Sequence, residues 1–256
     1  MFQIKRPIIS SHKLKDTMAS PHILDSVAPR LDQVAIRRFD PFSTMSDAEL
    51  AETVDPAHKH TISHGQPVFR QGDVAQHFYF LLCGRLKVVQ LTKSGQQIVV
   101  RIVHPGEFFG VAKALKRTDY PGTALAVVDS VALAWNSALW DDMTARHPNL
   151  TMNALHTVAS HLQEMHARVC ELSTENVERR IAHAIARLVE RAGRETQDGI
   201  LIDFPITRQD IAEMTGTTLS TVSRMLSAWT DRGLIKSRRL RITVCDPDKL
   251  TRLARE

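Results

Sequence analysis

Between Met152 and Leu172, apolar residues recur at alternating steps of three and four without interruption: Met152, Leu155, Val158, Leu162, Met165, Val169 and Leu172. A spacing that averages 3.5 residues over three heptads specifies a helix with a narrow apolar stripe. His156, Ser160, His161, Gln163, Glu164 and Arg168 fall on its other faces. A helix sunk in a globular core would carry a broader apolar face, whereas this stripe suits a two-stranded seam between two copies of the chain. The alternative is a long surface helix packed on its own β domain.

The residues before this stripe obey another period. From Thr61 to about Trp135, short alternating runs rich in β-branched and aromatic residues occur, among them Phe78–Leu82, Leu86–Leu91 and Gln97–Val103. Glycines punctuate them at intervals that suit short strands and turns, and Lys93-Ser94-Gly95-Gln96 between two apolar runs is a hairpin signal. The pattern predicts a small, closed antiparallel β structure. Upstream, Leu31 to Val54 predicts one or two short helices, with Ser46 and Glu49 at capping-box spacing. Residues 1–28 hold no sustained period and read as a flexible N-terminal extension.

After the stripe, a helical pattern runs from about Glu175 to Ala192 and ends at Gly193, before the polar stretch Arg194 to Gly199. Two short helices then meet at Thr215-Gly216-Thr217. Ile211, Ala212 and Met214 give the first a buried side, and Val222, Met225 and Leu226 give one to the second. This is the grammar of a helix-turn-helix, whose second helix must pack one face and present hydrogen-bonding side chains on the other. That other face holds Thr218, Ser220, Thr221, Ser223 and Arg224. An arginine can grip O6 and N7 of guanine with two parallel bonds, and Ser and Thr can bond to bases or phosphates. We therefore assign these five to base reading. Thr207, Arg208 and Gln209, at the amino end of the first helix, are placed where free N–H groups and the positive dipole favour phosphate.

Charge points the same way. The chain carries a net +5, and Arg232, Lys236, Arg238, Arg239 and Arg241 put five cations and no anion into ten residues. Leu234-Ile235 and Ile242-Thr243-Val244 flank the run as short strands, so a wing with a cationic tip is expected, with Arg238 and Arg239 on phosphates. Of the 256 residues 43% are hydrophobic and 24% charged, which excludes a disordered chain. No run of about 18 apolar residues predicts a membrane helix, and Lys5, Arg6, Lys13 and Lys15 interrupt any signal-peptide core. Three widely spaced cysteines, Cys83, Cys170 and Cys245, argue against a disulfide framework and fit a cytoplasmic protein. Neither His58-x-His60 nor His60 with His64 is a metal signature, and no metal site is expected.

These residues resemble the bacterial CRP/FNR family of transcription regulators from about residue 31 to the C-terminus. The resemblance rests on Gly65–Asp73, Phe80–Val88, Pro105-Gly106-Glu107-Phe108-Phe109-Gly110 and, most specifically, Ile206–Leu226. It implies an α+β chain with a cyclic-nucleotide-binding-like β-roll, a long dimerisation helix and a C-terminal winged helix-turn-helix. It also implies a homodimer on a near-palindromic double-stranded DNA site, with RNA polymerase as a partner. The domains are expected at residues 1–28 (extension), 29–139 (sensor roll), 140–173 (dimerisation helix) and 174–256 (DNA-binding domain).

Departures from the family pattern narrow the signal. Cyclic-AMP-binding members carry a glutamate and an Arg-Ser pair where this chain reads Val111-Ala112-Lys113 and Pro121-Gly122-Thr123. Without that arginine the cyclic phosphate lacks a bidentate partner, so cyclic AMP is disfavoured. No cysteine precedes Cys83, so a four-cysteine iron–sulfur cluster is disfavoured as well. The stretch Thr217–Arg224 looks closest to the nitric-oxide-responsive NnrR and DNR types, which implies haem as a cofactor and nitric oxide as the signal. An effector-independent regulator with a degenerate pocket is the alternative. Ser220 stands where other members carry a cytosine-reading glutamate, which predicts a half-site that keeps the guanine read by Arg224 and relaxes its neighbour. No G-x-S-x-G, P-loop, H-E-x-x-H or kinase signature occurs, so an enzyme is not expected.

Overall fold

The computed structural model describes residues 33–255, and the expected extension over residues 1–28 lies outside them. Helices α1 (Gln33–Arg37), α2 (Asp40–Ser43) and α3 (Asp47–Val54) come first, three where the sequence suggested one or two. Ser46 accepts from the Glu49 amide while the Glu49 carboxylate accepts from the Ser46 amide, so the capping box forms and starts α3.

Strands β1 (His58–Ile62), β2 (Pro67–Phe69), β3 (His77–Leu91), β4 (Gln97–Val103), β5 (Phe108–Phe109) and β6 (Thr123–Asn136) form one antiparallel sheet. Its order is β1-β6-β3-β4, with β2 on β6 and β5 on β3. The runs Phe78–Leu82 and Leu86–Leu91, read separately in the sequence, are one strand of 15 residues. Gly84 bends that strand without ending it. Its φ is +91°, the register against β6 shifts on either side of it, and a Cβ there would sit 2.2 Å from Ser130 Oγ. The expected closure is corrected: among the described residues no ladder joins β1 to β4, because two long bulged strands carry the bending. Ile62, Phe69, Tyr79, Leu81, Leu86 and Phe109 fill the interior.

The expected helix over residues 140–173 is two helices, α4 (Trp140–Arg146) and α5 (Pro148–Thr174). Pro148 supplies no amide and disfavours the helical region for the residue before it, and His147 sits at φ −121°, ψ 86°. α5 runs on for 27 residues, and the chain then turns at Glu175 and Asn176, both extended. Asn176 caps α6 (Val177–Ala192) by accepting from the Arg179 amide.

Gly193 is extended at the end of α6, so the polar stretch after it pairs as a hairpin of β7 (Gly193–Thr196) and β8 (Gly199–Ile202). Then follow α7 (Arg208–Thr215), α8 (Leu219–Asp231), β9 (Ile235–Arg238), β10 (Arg241–Val244) and α9 (Pro247–Arg255). The second sheet runs β7-β8-β10-β9, so the expected wing hairpin has two further strands beside it. One apolar cluster joins Val89, Val99 and Ile102 of the roll to Ile185, Ile211 and Trp229 of the helical part.

Candidate nucleic-acid interface and sensory cavity

α7 ends at Gly216, whose φ of +61° and ψ of 40° make the left-handed turn that lets α8 set off in a new direction. Val222, Leu226 and Trp229 bury one side of α8, and the Trp229 indole N–H donates to Glu178 of α6 at 2.9 Å. The opposite side is open. Ser220 and Arg224 are exposed, and Thr221 and Ser223 are half-buried. Thr218 is the N-cap, and its hydroxyl accepts from the Thr221 amide at 3.2 Å. Among the described residues, Arg224 makes no hydrogen bond or ion pair, so its five donors are available to an external acceptor. Ser227, one turn beyond Arg224, is also exposed, a neighbour that the sequence reading passed over.

The five expected phosphate residues divide. Arg238 and Arg239 are exposed at the end of β9, with no ion pair among the described residues, and Leu240 beyond them turns the hairpin at φ +61°. Lys236, from the same basic run, is instead paired with Asp198 at 2.5 Å, and Arg232 with Glu178 at 3.5 Å. At the start of α7 the arrangement differs from the expectation. Thr207 directs both its amide and its hydroxyl to Asp210 Oδ2, at 2.9 and 2.6 Å, and Gln209 donates to Glu213 at 2.9 Å. An internal carboxylate therefore occupies the end where phosphate was expected, and of the three only the Arg208 side chain makes no bond among the described residues.

Asp210 is itself held by the roll, since Lys87 Nζ of β3 lies 2.5 Å from its Oδ1. Burial pushes its carboxyl up, but the Lys87 and Thr207 hydrogen bonds outweigh that and leave it below the ordinary range. Gln97 of β4 donates to Glu213 at 3.0 Å, and Arg168 of α5 donates to the carbonyls of Val100 (2.8 Å), Val99 (2.9 Å) and Met214 (2.6 Å). Helix α7 is thus docked on the outer face of β3 and β4.

Between the roll and α5 lies a cavity of about 370 Å³. Phe69, Phe109, Leu115 and Tyr120 line it from the roll, and Val158, Leu162 and Met165 from the seam stripe. Arg101 and His161, with the Tyr120 phenol, are the ionisable side chains of its wall among the described residues. Pro121 and Gly122 line it too, whereas Lys113 is paired with Asp141 at 2.7 Å and is not part of the wall. A second, more polar chamber of about 300 Å³ adjoins it across Arg101 and His161 and is bounded by His104, Glu107, His156 and Arg191. Burial, reinforced by the neighbouring arginines, lowers the His161 ring to about 4 and the His104 ring to about 3. Both imidazoles are neutral at neutral pH. The sequence reading missed Arg101, although an arginine inside the apolar run Ile98–Val103 was the signal that could have found it. A haem would find one imidazole donor, His161, and one cation for its carboxylates, Arg101, so the residue types present are compatible with it.

Two family models match this chain: the cyclic nucleotide-binding domain over residues 59–147 and the Crp-like helix-turn-helix domain over residues 179–253. Together they identify a cyclic nucleotide-binding-type roll followed by a Crp-like helix-turn-helix. The chain is 28% identical over 172 residues to the cyclic AMP receptor protein of Thermus thermophilus, covering 67% of this chain and 76% of that one. It is 26% identical over 196 residues to the fumarate and nitrate reduction regulatory protein of Escherichia coli, covering 77% and 78%. A solved CRP-family transcriptional regulator from Thermus thermophilus matches with a TM-score of 0.66 at 25% identity, over 77% of this chain and 97% of that one. The chain is a DNA-binding transcription regulator of the CRP/FNR family, and these relatives are regulators, not enzymes. No helix among the described residues is long and apolar enough to cross a membrane.

Proposed function

We propose that two copies of this chain pair along α5 and present their α8 helices to successive major-groove faces of a near-palindromic DNA site, thereby controlling a promoter. The observation that carries this reading is the open face of α8, where Arg224 has no partner among the described residues while Val222, Leu226 and Trp229 bury the other face. Productive reading needs the two helices about 34 Å apart. Exposed apolar residues at heptad spacing on α5, from Met152 to Leu172, supply the means of pairing. Val158, Leu162 and Met165 belong to both the stripe and the cavity wall, so an occupant of the cavity bears directly on the seam. We read the docked α7 as one state of a two-state equilibrium, with Lys87 and Asp210 as its latch, and the signal as what shifts that equilibrium.

An open cavity favours a sensor over an effector-independent regulator. Nitric oxide carried by haem is the second reading, supported by the neutral His161 on the cavity wall and tested by the absorption spectrum after adding haemin. The main reading is tested by binding-site selection from random duplexes. The unmodified protein is expected to return a palindrome with a fixed guanine in each half-site. Arg224→Ala should lose that preference and about 1–3 kcal/mol per half-site. Equal preference at that base before and after the change refutes the assignment.

A further inference from the structure

We infer that the cavity between the roll and α5 takes an amphipathic acid, a small apolar body bearing one carboxylate that is received by Arg101. This rests on the sensor reading above and names the ligand class for that site.

Three features of the wall lead there. Its surface is overwhelmingly aliphatic and aromatic, so a bare anion or a sugar-phosphate would lose hydration with little in return. Its volume of about 370 Å³ falls within the range of about 300–1,000 Å³ that small-molecule sites occupy. Its one fixed cation, Arg101, is deeply buried and incompletely compensated. Arg101 Nη2 donates to the Phe108 carbonyl at 2.9 Å, but its carboxylate partner, Glu107, is 4.0 Å away and is shared with Arg191 of α6 at 3.9 Å. Arg191 also reaches Glu164 of α5 at 3.4 Å. Around this junction Arg101 and Arg191 divide Glu107 and Glu164 between them, while Arg85 faces Glu107 as well as Asp203, which Arg194 also holds at 3.0 Å; Arg187 is matched by Glu171 at 2.5 Å and Arg168 spends its donors on backbone carbonyls. A buried guanidinium with a long, divided ion pair gains from an added carboxylate that can accept two parallel bonds.

The same geometry gives the ligand a route to the DNA-reading part. A carboxylate on Arg101 competes with Glu107, and Glu107 released from Arg101 is free to engage Arg191 on α6 more closely. The apolar body meanwhile presses on Val158, Leu162 and Met165.

The test uses thermal unfolding and titration calorimetry on the full chain with decanoate, 1-decanol, acetate, cyclic AMP and haemin as probes. Decanoate is expected to bind and raise the unfolding temperature, with decanol and acetate each at least tenfold weaker and cyclic AMP without effect. Arg101→Met should weaken decanoate at least tenfold and leave decanol unchanged. The comparison among probes on the unmodified chain stands even if that variant does not fold. Equal binding of decanol would show an apolar cavity without acid selectivity. Equal binding of acetate would show a bare anion site. Haemin that displaces decanoate with a Soret band would show a haem pocket. Each of these, or no decanoate binding at all, overturns the inference. Operator binding in the same preparations separates the two readings: a chain that selects its palindrome but ignores decanoate keeps the regulator and loses the acid, and the reverse outcome does the opposite.

Discussion

Helices α5 and α6 are consecutive, joined through Glu175 and Asn176, yet their apolar residues meet opposite fates. α6, with 16 residues, buries Ile181, Ala182, Ala184, Ile185 and Leu188 and exposes no large apolar side chain. α5, with 27 residues, buries only Leu150, Ala154 and Glu171 and leaves Met152, Leu155, Val158, Leu162, Val169 and Leu172 exposed. Those six are half of the twelve large apolar residues exposed among the described residues, so the exposure is concentrated on one stripe. One helix is completed by its own chain. The other has a face that, on our reading, only a second copy completes, and the contrast shows how one chain separates what holds it folded from what holds it paired.

The sharpest way to break that contrast is to put charge on the stripe. Leu155→Lys with Val169→Lys alters side chains that are 57% and 59% exposed in the subunit, so circular dichroism should not change. Losing two apolar contacts per subunit, at about 1.5–3 kcal/mol each, should raise the dimer dissociation constant at least about a hundredfold by sedimentation. Ile185→Ala, on α6, should do the reverse. It opens a cavity in a fully buried site, costs about 2–5 kcal/mol in chemical denaturation and leaves the association of the folded protein unchanged. Lys87→Met addresses the latch between roll and α7. Freed of it, the helix-turn-helix should bind operator about fivefold more tightly without added signal, by fluorescence anisotropy.

The gentlest effect is that of pH. His104 and His161 stay neutral in the fold down to about 3 and 4, whereas their unfolded rings take up protons near 6.5. Their contribution to stability is therefore fully present above about 6.5 and declines as pH falls from there toward 4. The unfolding temperature should drop over that window, and His161→Leu should make the slope shallower.

The sequence made the helical half legible because its signals are local. A 3.5-residue spacing, a capping box at Ser46 and a glycine at position 216 each act within a few residues, and each appears in the structure as expected. What it hid depends on distant partners. The Gly84 bulge needs Ser130 across the sheet, the Asp210 carboxylate that caps α7 is held by Lys87 from 123 positions away, and Arg101 gains its meaning from a cavity built by three separate segments. The break at Pro148 was the exception. It was a local signal, present in the sequence, but outweighed by the apolar period that follows it.

Sedimentation of the unmodified chain at micromolar concentration, free and with a selected palindromic duplex, tests the pairing on which DNA reading depends. The stripe on α5 predicts a species of twice 28.7 kDa in both conditions and one such species per duplex. A 28.7 kDa subunit that protects the whole palindrome by itself would contradict it.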